Sequence, residues 1–171
     1  MKAPKVELKN VKTFEGHDGL GLNADVWING INCMHLFDGA YGGEYEYTMN
    51  TYNNPKADQV RTNVQLLDDY IATLPEETST FGDRTFKLKM DRDMFLNNIY
   101  EQMQLEKQMK KAILVGEPNG TSYQKFSWKG KTLAQMPVQA LQMTVDNIKK
   151  KYCTGNVRIL NTNLQKLGVT I

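Results

Sequence analysis

The sequence predicts an α+β fold: an antiparallel sheet built on two β-hairpins, with about three helices packed mainly on one face. Three observations support this fold class. The pair Asn29-Gly30 separates two alternating apolar segments, which is a strong short-range signal of a hairpin. A second hairpin is predicted around Pro118-Asn119-Gly120. Three longer segments repeat apolar residues every three or four positions, as amphipathic helices do.

The first hairpin spans Leu20 to Phe37, and a two-residue type I′ turn at Asn29-Gly30 sets its predicted register. In this register Cys33 and His35 lie on one apolar face that packs on the core. Cys33 is then a small buried apolar residue, and His35 is a hydrogen-bonded core histidine. A shift of one residue would exchange the two faces of the hairpin. The predicted pairs are Leu22 with Phe37, Ala24 with His35, Val26 with Cys33 and Ile28 with Ile31.

Other strands flank this hairpin in the prediction. Lys5 to Phe14 alternates for part of its length, and Glu44 to Met49 alternates charged and aromatic residues. The glycines between Gly16 and Gly21 lead into a strand and not a helix, so they predict a turn rather than a phosphate-binding loop. Thr85 to Met90 alternates as a further strand, whereas the polar segment from Glu76 to Asp83 is expected to be a loop.

Three helices are predicted from apolar stripes. The first begins at Asn53-Asn54-Pro55, with Asn as N-cap and Pro in the first turn, and Pro75 ends it. The second begins at Asp91 or Asp93, and its lysine-rich end suits the helix dipole. The third runs from about Met136 to Tyr152. The first stripe consists of Val60, Val64, Leu67, Ile71 and Leu74, and the third of Leu141, Val145, Ile148 and Tyr152.

The second hairpin joins Ala112 to Gly116 with Thr121 to Trp128. Its turn fits both a two-residue loop and a type I turn followed by a left-handed glycine, so its register stays open. Val157 to Leu160 is predicted as a last strand. With 171 residues, the chain is expected to form a single domain over residues 1–171.

The composition, with 40% hydrophobic and 23% charged residues, is ordinary for a globular protein. No apolar segment approaches the roughly 20 residues that a membrane span needs. The start of the sequence also lacks the apolar segment of a signal peptide. The two cysteines form neither a disulfide framework nor a zinc pattern. We therefore expect a cytoplasmic protein with no membrane partner, no metal and no cofactor.

Charge is distributed unevenly along the chain. Residues 1–90 hold 9 Lys/Arg and 13 Asp/Glu, and residues 91–171 hold 12 and 6, so the net charges are −4 and +6. This asymmetry permits an acidic and a basic patch. Catalytic patterns are weak by comparison: the only histidines are His17 and His35, and a Cys33–His35 nucleophile pair would need an exposed thiolate. No catalytic residue is assigned, and a protein without enzymatic activity is favoured.

The second hairpin is basic and rich in aromatic residues. Lysines that contact phosphates, together with aromatic rings that stack on bases, hold single-stranded nucleic acid without sequence readout. The alternative is that the aromatic residues face the core while the lysines keep a strand edge soluble. The candidate nucleic-acid-binding residues are Lys107, Lys110, Lys111, Tyr123, Lys125, Phe126, Trp128, Lys129, Lys131, Lys149, Lys150 and Lys151.

An acidic, tyrosine-rich segment follows the first hairpin. Tyrosine is a common anchor in protein interfaces, and the acidic residues would suit a basic partner protein. The candidate protein-binding residues are Tyr41, Glu44, Tyr45, Glu46 and Tyr47.

Five segments, spread over most of the chain, also occur in an order that resembles that found in other proteins. They are Leu8 to Lys12, Asn23 to Gly30, the glycine loop Asp38 to Gly43, the stretch from Leu105 to Leu114, and Lys149 to Tyr152. This arrangement resembles a loose group of small uncharacterised proteins from bacteriophages and mobile elements. The resemblance implies a phage or mobile-element accessory protein and brings no catalytic residues. If a phage encodes the protein, the expected location is the host cell cytoplasm.

We therefore expect a non-enzymatic accessory protein that binds another macromolecule, with a protein partner favoured. One alternative is a weak, non-sequence-specific nucleic-acid binder that uses the lysine-rich region 107–151. The other is an enzyme of unknown class.

Overall fold

A computed structural model describes residues 2–81, 84–118, 120 and 122–171. Within these residues, antiparallel strands combine with three α-helices, which confirms the α+β class. The chain divides into two compact units, Met1–Tyr100 and Glu101–Ile171. Each unit has a buried apolar cluster of its own. The expectation of a single domain over residues 1–171 stays a prediction.

The first unit contains a four-stranded sheet, a two-stranded ribbon, one complete helix and the start of a second helix. Its strands are β1 (Val6–Gly16), β2 (Gly19–Ile28), β3 (Ile31–Asp38), β4 (Glu46–Met49), β5 (Glu77–Phe81) and β6 (Arg84–Leu88), and its helices are α1 (Ala57–Ile71) and the beginning of α2 (Arg92–Met109). The larger sheet has the order β1-β2-β3-β4, and β5 pairs with β6.

One face of the larger sheet forms the core of the first unit. Helix α1 contacts β2 and β3. Its predicted stripe is confirmed, because Val60, Val64, Leu67 and Ile71 are all buried. The first hairpin also closes at the predicted turn, since φ is 51° at Asn29 and 82° at Gly30.

The predicted register of this hairpin is wrong from Cys33 onward, in the part that lies away from the turn. Cys33 has no partner of its own in β2 and forms a β-bulge. Cys33 is buried, as expected, but every later side chain of β3 changes face, so His35 is exposed beside Asp25. The alternation of apolar and polar residues could not reveal this one extra residue in β3. The extra residue exchanges the two faces of the strand beyond it. The observed pairs are Val26 with Met34, Asp25 with His35, and Asn23 with Phe37.

The loop expected between Glu76 and Asp83 is also replaced by a strand. Glu77–Phe81 forms β5 and pairs along its whole length with β6. Threonines and a phenylalanine give this polar segment good strand propensity, and the partner strand supplies its backbone hydrogen bonds. Residues 82 and 83 lie outside the described residues.

The second unit is built around a buried strand. Every residue of Ala112–Gly116 is buried, and the three-stranded sheet has this strand at its centre. The helix that follows buries Leu141, Val145 and Ile148, so its predicted stripe is confirmed for these three residues. The elements after α2 are β7 (Ala112–Gly116), β8 (Tyr123–Ser127), α3 (Val138–Tyr152), β9 (Arg158–Ile159), and short 3-10 turns at Leu133–Gln135 and Gln165–Leu167.

The second hairpin has the register that the sequence left open. Its strands β7 and β8 pair antiparallel, with Ile113 opposite Phe126 and Gly116 opposite Tyr123. Asn119, which belongs to the predicted turn, lies outside the described residues, as does residue 121.

The two-residue strand β9 covers only part of the edge of β7, and a side chain completes the remainder. Asn161 is 3% exposed. Its Oδ1 accepts a hydrogen bond from the backbone N–H of Leu114 at 2.7 Å, and its Nδ2 donates to the carbonyl oxygens of Ala112 at 2.9 Å and Met109 at 3.2 Å. One buried amide therefore satisfies a strand edge and a carbonyl at the end of α2.

Candidate nucleic-acid interface

The second unit is strongly basic. Residues 101–171 contain 11 Lys/Arg and 4 Asp/Glu, a net charge of +7, whereas residues 1–100 contain 10 and 15, a net charge of −5. All nine candidate lysines of the second unit are exposed. Among the described residues, the five ion pairs all lie in the first unit. The exposed lysines of the second unit can therefore contact external anions.

A groove of about 440 Å³ opens on this basic unit, and two tyrosines line it. Tyr123 is the first residue of β8, and Tyr152 is the last residue of α3. Gly116, opposite Tyr123 in the sheet, also lines the groove. A Cβ at Gly116 would lie 2.8 Å from the carbonyl oxygen of Ser122 and 3.1 Å from the Cβ of Tyr123, so only glycine fits this close approach.

Each groove tyrosine carries a lysine over its ring. The Nζ of Lys125 lies 5.5 Å from the centroid of Tyr123, and the Nζ of Lys151 lies 5.2 Å from that of Tyr152. Both distances are within the range of cation–π attraction. Alternation puts Lys125 on the same side of β8 as Tyr123, and Lys151 precedes Tyr152 on α3. The groove thus has two aromatic rings in its lining, each with an ammonium group over it, although neither lysine lines the groove and the acidic Glu117 does.

Other predicted aromatic residues pack elsewhere. Phe126 and Trp128 are half-buried against the core of the second unit. The ring of Phe126 also contacts Tyr152, with centroids 5.0 Å apart and planes tilted by 56°. Of the predicted residues, the structure therefore places Tyr123 in the groove lining and Lys125 and Lys151 over the two groove tyrosines, and it turns Phe126 and Trp128 partly toward the core.

Tyr152 was absent from the predicted binding residues. Its spacing fits the apolar stripe of α3, and the sequence offered no sign that the ring would be partly exposed. The adjacent Lys149-Lys150-Lys151 run was the only signal that could have pointed to it. Lys107, Lys110 and Lys111 lie at the end of α2, Lys129 and Lys131 lie in the turn after β8, and Lys149 and Lys150 lie in the last turn of α3. None of the nine candidate lysines lines the groove itself.

Two of the predicted protein-binding residues make contacts within the first unit. The hydroxyl of Tyr47 donates a hydrogen bond to Asp93 Oδ1 at 2.6 Å, and the backbone N–H of Tyr45 donates to Asp93 Oδ2 at 2.9 Å. Burial, and then the bond to Asp93, raises the pKa of the Tyr47 phenol. Tyr45 and Tyr47 thus fix β4 to the start of α2. Tyr41, Glu44 and Glu46 are exposed.

The bulge separates the two residues of a possible Cys–His pair. Cys33 faces the core, and its burial raises the pKa of the thiol, which favours the unreactive neutral form. His35 lies on the other face, where its Nδ1 is 3.2 Å from Asp25 Oδ1. Asn10 donates to the other oxygen of Asp25 at 2.6 Å. In the described part of the chain, no group of three His, Cys, Asp or Glu side chains could hold a metal ion.

Comparisons with known proteins give no relative: no family model, no curated protein and no solved structure matches this chain. Within the described ranges, each helix is too short or too polar to cross a membrane.

Proposed function

We propose that this chain is a non-enzymatic accessory protein of phage or mobile-element type that binds single-stranded nucleic acid through its second unit. The groove lined by Tyr123 and Tyr152, with an ammonium over each ring, is the observation that carries the proposal. Unpaired bases stack on aromatic rings, while lysines contact the phosphates on either side. This mode of binding reads no sequence.

The charge of the second unit supports this ligand. Its net charge of +7 would attract a polyanion, and its exposed lysines could contact several phosphates. Lys125 and Lys151 have two partners within reach in this scheme: the tyrosine ring in the free protein and a phosphate in the complex. A base that stacks on the ring would replace the ammonium, which then contacts the strand.

The proposed location is the cytoplasm, and the host cytoplasm if a phage encodes the protein. Cys33 and Cys153 are both free thiols, which suits a reducing compartment. Neither cysteine takes part in the proposed binding.

Fluorescence anisotropy with a labelled thymidine oligonucleotide of about 20 nucleotides tests the proposal. We expect the logarithm of the association constant to fall linearly with the logarithm of salt concentration, by about 0.7 for each phosphate contacted. The double variant Lys125→Gln/Lys151→Gln should reduce that slope. A control variant, Lys56→Gln/Lys87→Gln, changes two exposed lysines of the first unit and should bind as the wild type does.

The stacking part has its own variant. Tyr123→Leu keeps an apolar side chain against the core but removes the ring, and we expect binding to weaken by roughly tenfold. The same variant should bind an abasic oligonucleotide as well as the wild type does. Equal binding of thymidine and abasic strands by the wild type would contradict base stacking, and an unchanged salt slope in the lysine variant would contradict the groove as the site.

A protein partner, which the sequence favours, is the second candidate. The observation in its favour is that Tyr41 is 77% exposed, in a segment with the exposed Glu44 and Glu46. Affinity capture from a host lysate, with and without nuclease, separates the two candidates. A stoichiometric protein that survives nuclease supports the second, and recovery of nucleic acid that is lost at high salt supports the first.

A further inference from the structure

An aromatic surface is exposed at one end of the four-stranded sheet. Phe14 of β1 and Phe37 of β3 stack, with ring centroids 5.9 Å apart and planes only 16° from parallel. Gly21 of β2 lies opposite Phe14 in the ladder, and a Cβ at Gly21 would be 2.4 Å from the Phe14 ring. The absent side chain thus lets the Phe14 ring lie across β2 and reach Phe37.

Tyr41 extends this surface beyond the end of β3. A Cβ at Gly39 would lie 2.8 Å from Cδ2 of Tyr41 and 3.4 Å from Cε1 of Phe37, so both rings approach this glycine. We call the three residues Phe14, Phe37 and Tyr41 the aromatic platform. Tyr41 is 77% exposed and Phe14 is 38% exposed, although large aromatic side chains are usually buried.

The backbone beneath the platform is fixed. The N–H of Asp18, in the β1–β2 turn, donates to the carbonyl oxygen of Ala40 at 2.9 Å. The N–H of Ala40 donates to Asp38 Oδ1 at 2.8 Å, and Ala40 itself is buried. The backbone that carries Tyr41 is therefore held before any partner arrives, and the Phe14 and Phe37 rings already stack on each other, which lowers the entropy lost on binding.

The platform lies in an acidic part of the chain. Residues 13–55 contain six Asp/Glu and no Lys or Arg. Glu46 of β4 pairs directly with Phe37, so its exposed carboxylate lies on the same face as the rings. Lys12, two residues before Phe14 in β1, is the nearest cation in sequence on that face.

We propose that the aromatic platform binds an arginine-rich segment of a partner protein. A guanidinium stacks on aromatic faces and also forms paired hydrogen bonds with a carboxylate. Tyr41 and Phe37 offer the faces, and Glu46 offers the carboxylate. This interaction uses the first unit and is independent of nucleic-acid binding by the second.

The second unit of another copy of this chain is the competing occupant. It has the complementary charge, but ten of its eleven cations are lysines. Lysine lacks the planar fork that can stack and pair at the same time. The chemistry of the platform therefore favours a segment with several arginines over a second copy.

Binding of a fluorescein-labelled peptide of about 12 residues, alternating arginine and glycine, tests this proposal. The comparison peptide carries citrulline, a neutral residue of the same shape, in place of arginine. We expect the wild type to bind the arginine peptide and not the citrulline peptide. Tyr41→Ala should weaken binding by about fivefold, and Glu46→Gln by a smaller factor with a lower salt dependence.

Tyr52→Ala is the matched control, because Tyr52 is an 88% exposed tyrosine in the turn after β4. It should bind the peptide as the wild type does. Equal binding of both peptides, or equal binding by all three variants, would overturn the proposal. So would a salt-sensitive dimer in sedimentation velocity that Tyr41→Ala abolishes, because that result would assign the platform to a second copy. Glu46→Gln leaves every ring intact and tests the same surface if Tyr41→Ala fails to fold.

Discussion

Tyr47 illustrates how the surroundings of one residue change its chemistry. Its ring is half-buried, the guanidinium of Arg92 lies 5.0 Å from its centroid, and its hydroxyl donates to Asp93. Burial disfavours the phenolate, and the neighbouring carboxylate disfavours it further, so the pKa rises above its ordinary value. The folded protein therefore holds this proton more tightly than the unfolded chain does.

The pH dependence of stability follows from that difference. Tyr47 contributes stability below the ordinary tyrosine pKa of about 10, and this contribution is lost as pH rises, because only the unfolded chain releases the proton. Between about pH 8 and pH 11, we expect the wild type to lose roughly 0.5–1 kcal/mol more than Tyr47→Phe, after discounting for partial exposure. Urea unfolding at both pH values measures this difference.

The exposed Tyr52 provides the control. Tyr52→Phe removes the hydroxyl of an 88% exposed tyrosine and leaves the Tyr47–Asp93 contact intact, so it controls for the substitution itself. The thiol of Cys33 has a raised pKa in every one of these proteins, so its contribution cancels. An identical loss in the wild type and Tyr47→Phe would show that the Asp93 contact does not hold the proton.

The sequence predicted single residues well where local apolar context decides their position. Burial of Cys33 was predicted from the hairpin register, and Cys33 is buried although the bulge breaks that register at this residue. Exposure of His35 depends on the same bulge and could not be read from alternation. At the groove, the sequence predicted Tyr123, which lines it, and Lys125, whose ammonium lies over the Tyr123 ring. Tyr152 was missed, since the same helical spacing describes a core residue and a residue at the margin of the core.

At the scale of elements, the Asn29-Gly30 turn offers a clean test of backbone conformation. Gly30 has φ of 82°, and a Cβ there would meet nothing within 4 Å. Gly30→Ala would therefore be unfavourable for its dihedral angle alone, and we expect it to lower the free energy of unfolding by about 1 kcal/mol. Gly43→Ala serves as control, because Gly43 also has open space but no positive φ.

Urea denaturation compares the two alanine variants. The Gly43 variant should stay within about 0.5 kcal/mol of the wild type, as surface substitutions usually do. If Gly30→Ala is as stable as the wild type, the turn does not require a left-handed residue at position 30. A loss in Gly43→Ala as large as that in Gly30→Ala would point to a cause other than φ.

Elements whose apolar residues recur at regular spacing were predictable from the sequence, whereas elements that depend on pairing with a distant segment were not. The apolar residues of α1 recur at steps of four and three positions, a spacing that places them on one face of a helix, and this stripe is buried. Glu77–Phe81 has strand propensity but few apolar residues, so no apolar alternation marked it, and its pairing with β6 completes the strand. The same holds for the edge of β7, which Asn161 completes from 47 residues away.

At the scale of the whole molecule, the two tryptophans report on the two units separately. Trp27 lies in β2 of the first unit and Trp128 follows β8 in the second. Helix α2 supplies core residues to both units, Leu96 to the first and Met109 to the second. Because loss of either unit would deprive α2 of half its packing, we expect both units to unfold in one transition.

Single-tryptophan variants measure this. Trp27→Phe leaves Trp128 as the reporter of the second unit, and Trp128→Phe leaves Trp27 for the first. The Nε1 of Trp27 is buried without a hydrogen-bond partner in the described part of the chain, so phenylalanine there removes no hydrogen bond. Coincident urea midpoints would support a single domain over residues 1–171, and separate midpoints would contradict it.

The fold class was predictable because hairpins and helices leave local patterns. The grouping of the described strands into three sheets was not predictable, because pairing between distant segments leaves no such pattern. Charge asymmetry was visible in the sequence as −4 and +6 about residue 90. The contrast sharpens to −5 and +7 once the boundary between the units lies at residues 100 and 101.

The bulge at Cys33 bears on how this chain can evolve. β3 has one residue more than its ladder requires, and removal of Cys33 would bring Met34 next to Asn32 while leaving the pair of His35 and Asp25 intact. A deletion elsewhere in β3 would move every later side chain of the strand to the opposite face of the sheet. Cys33 is therefore the position at which β3 could lose a residue during evolution without exchanging its buried and exposed faces.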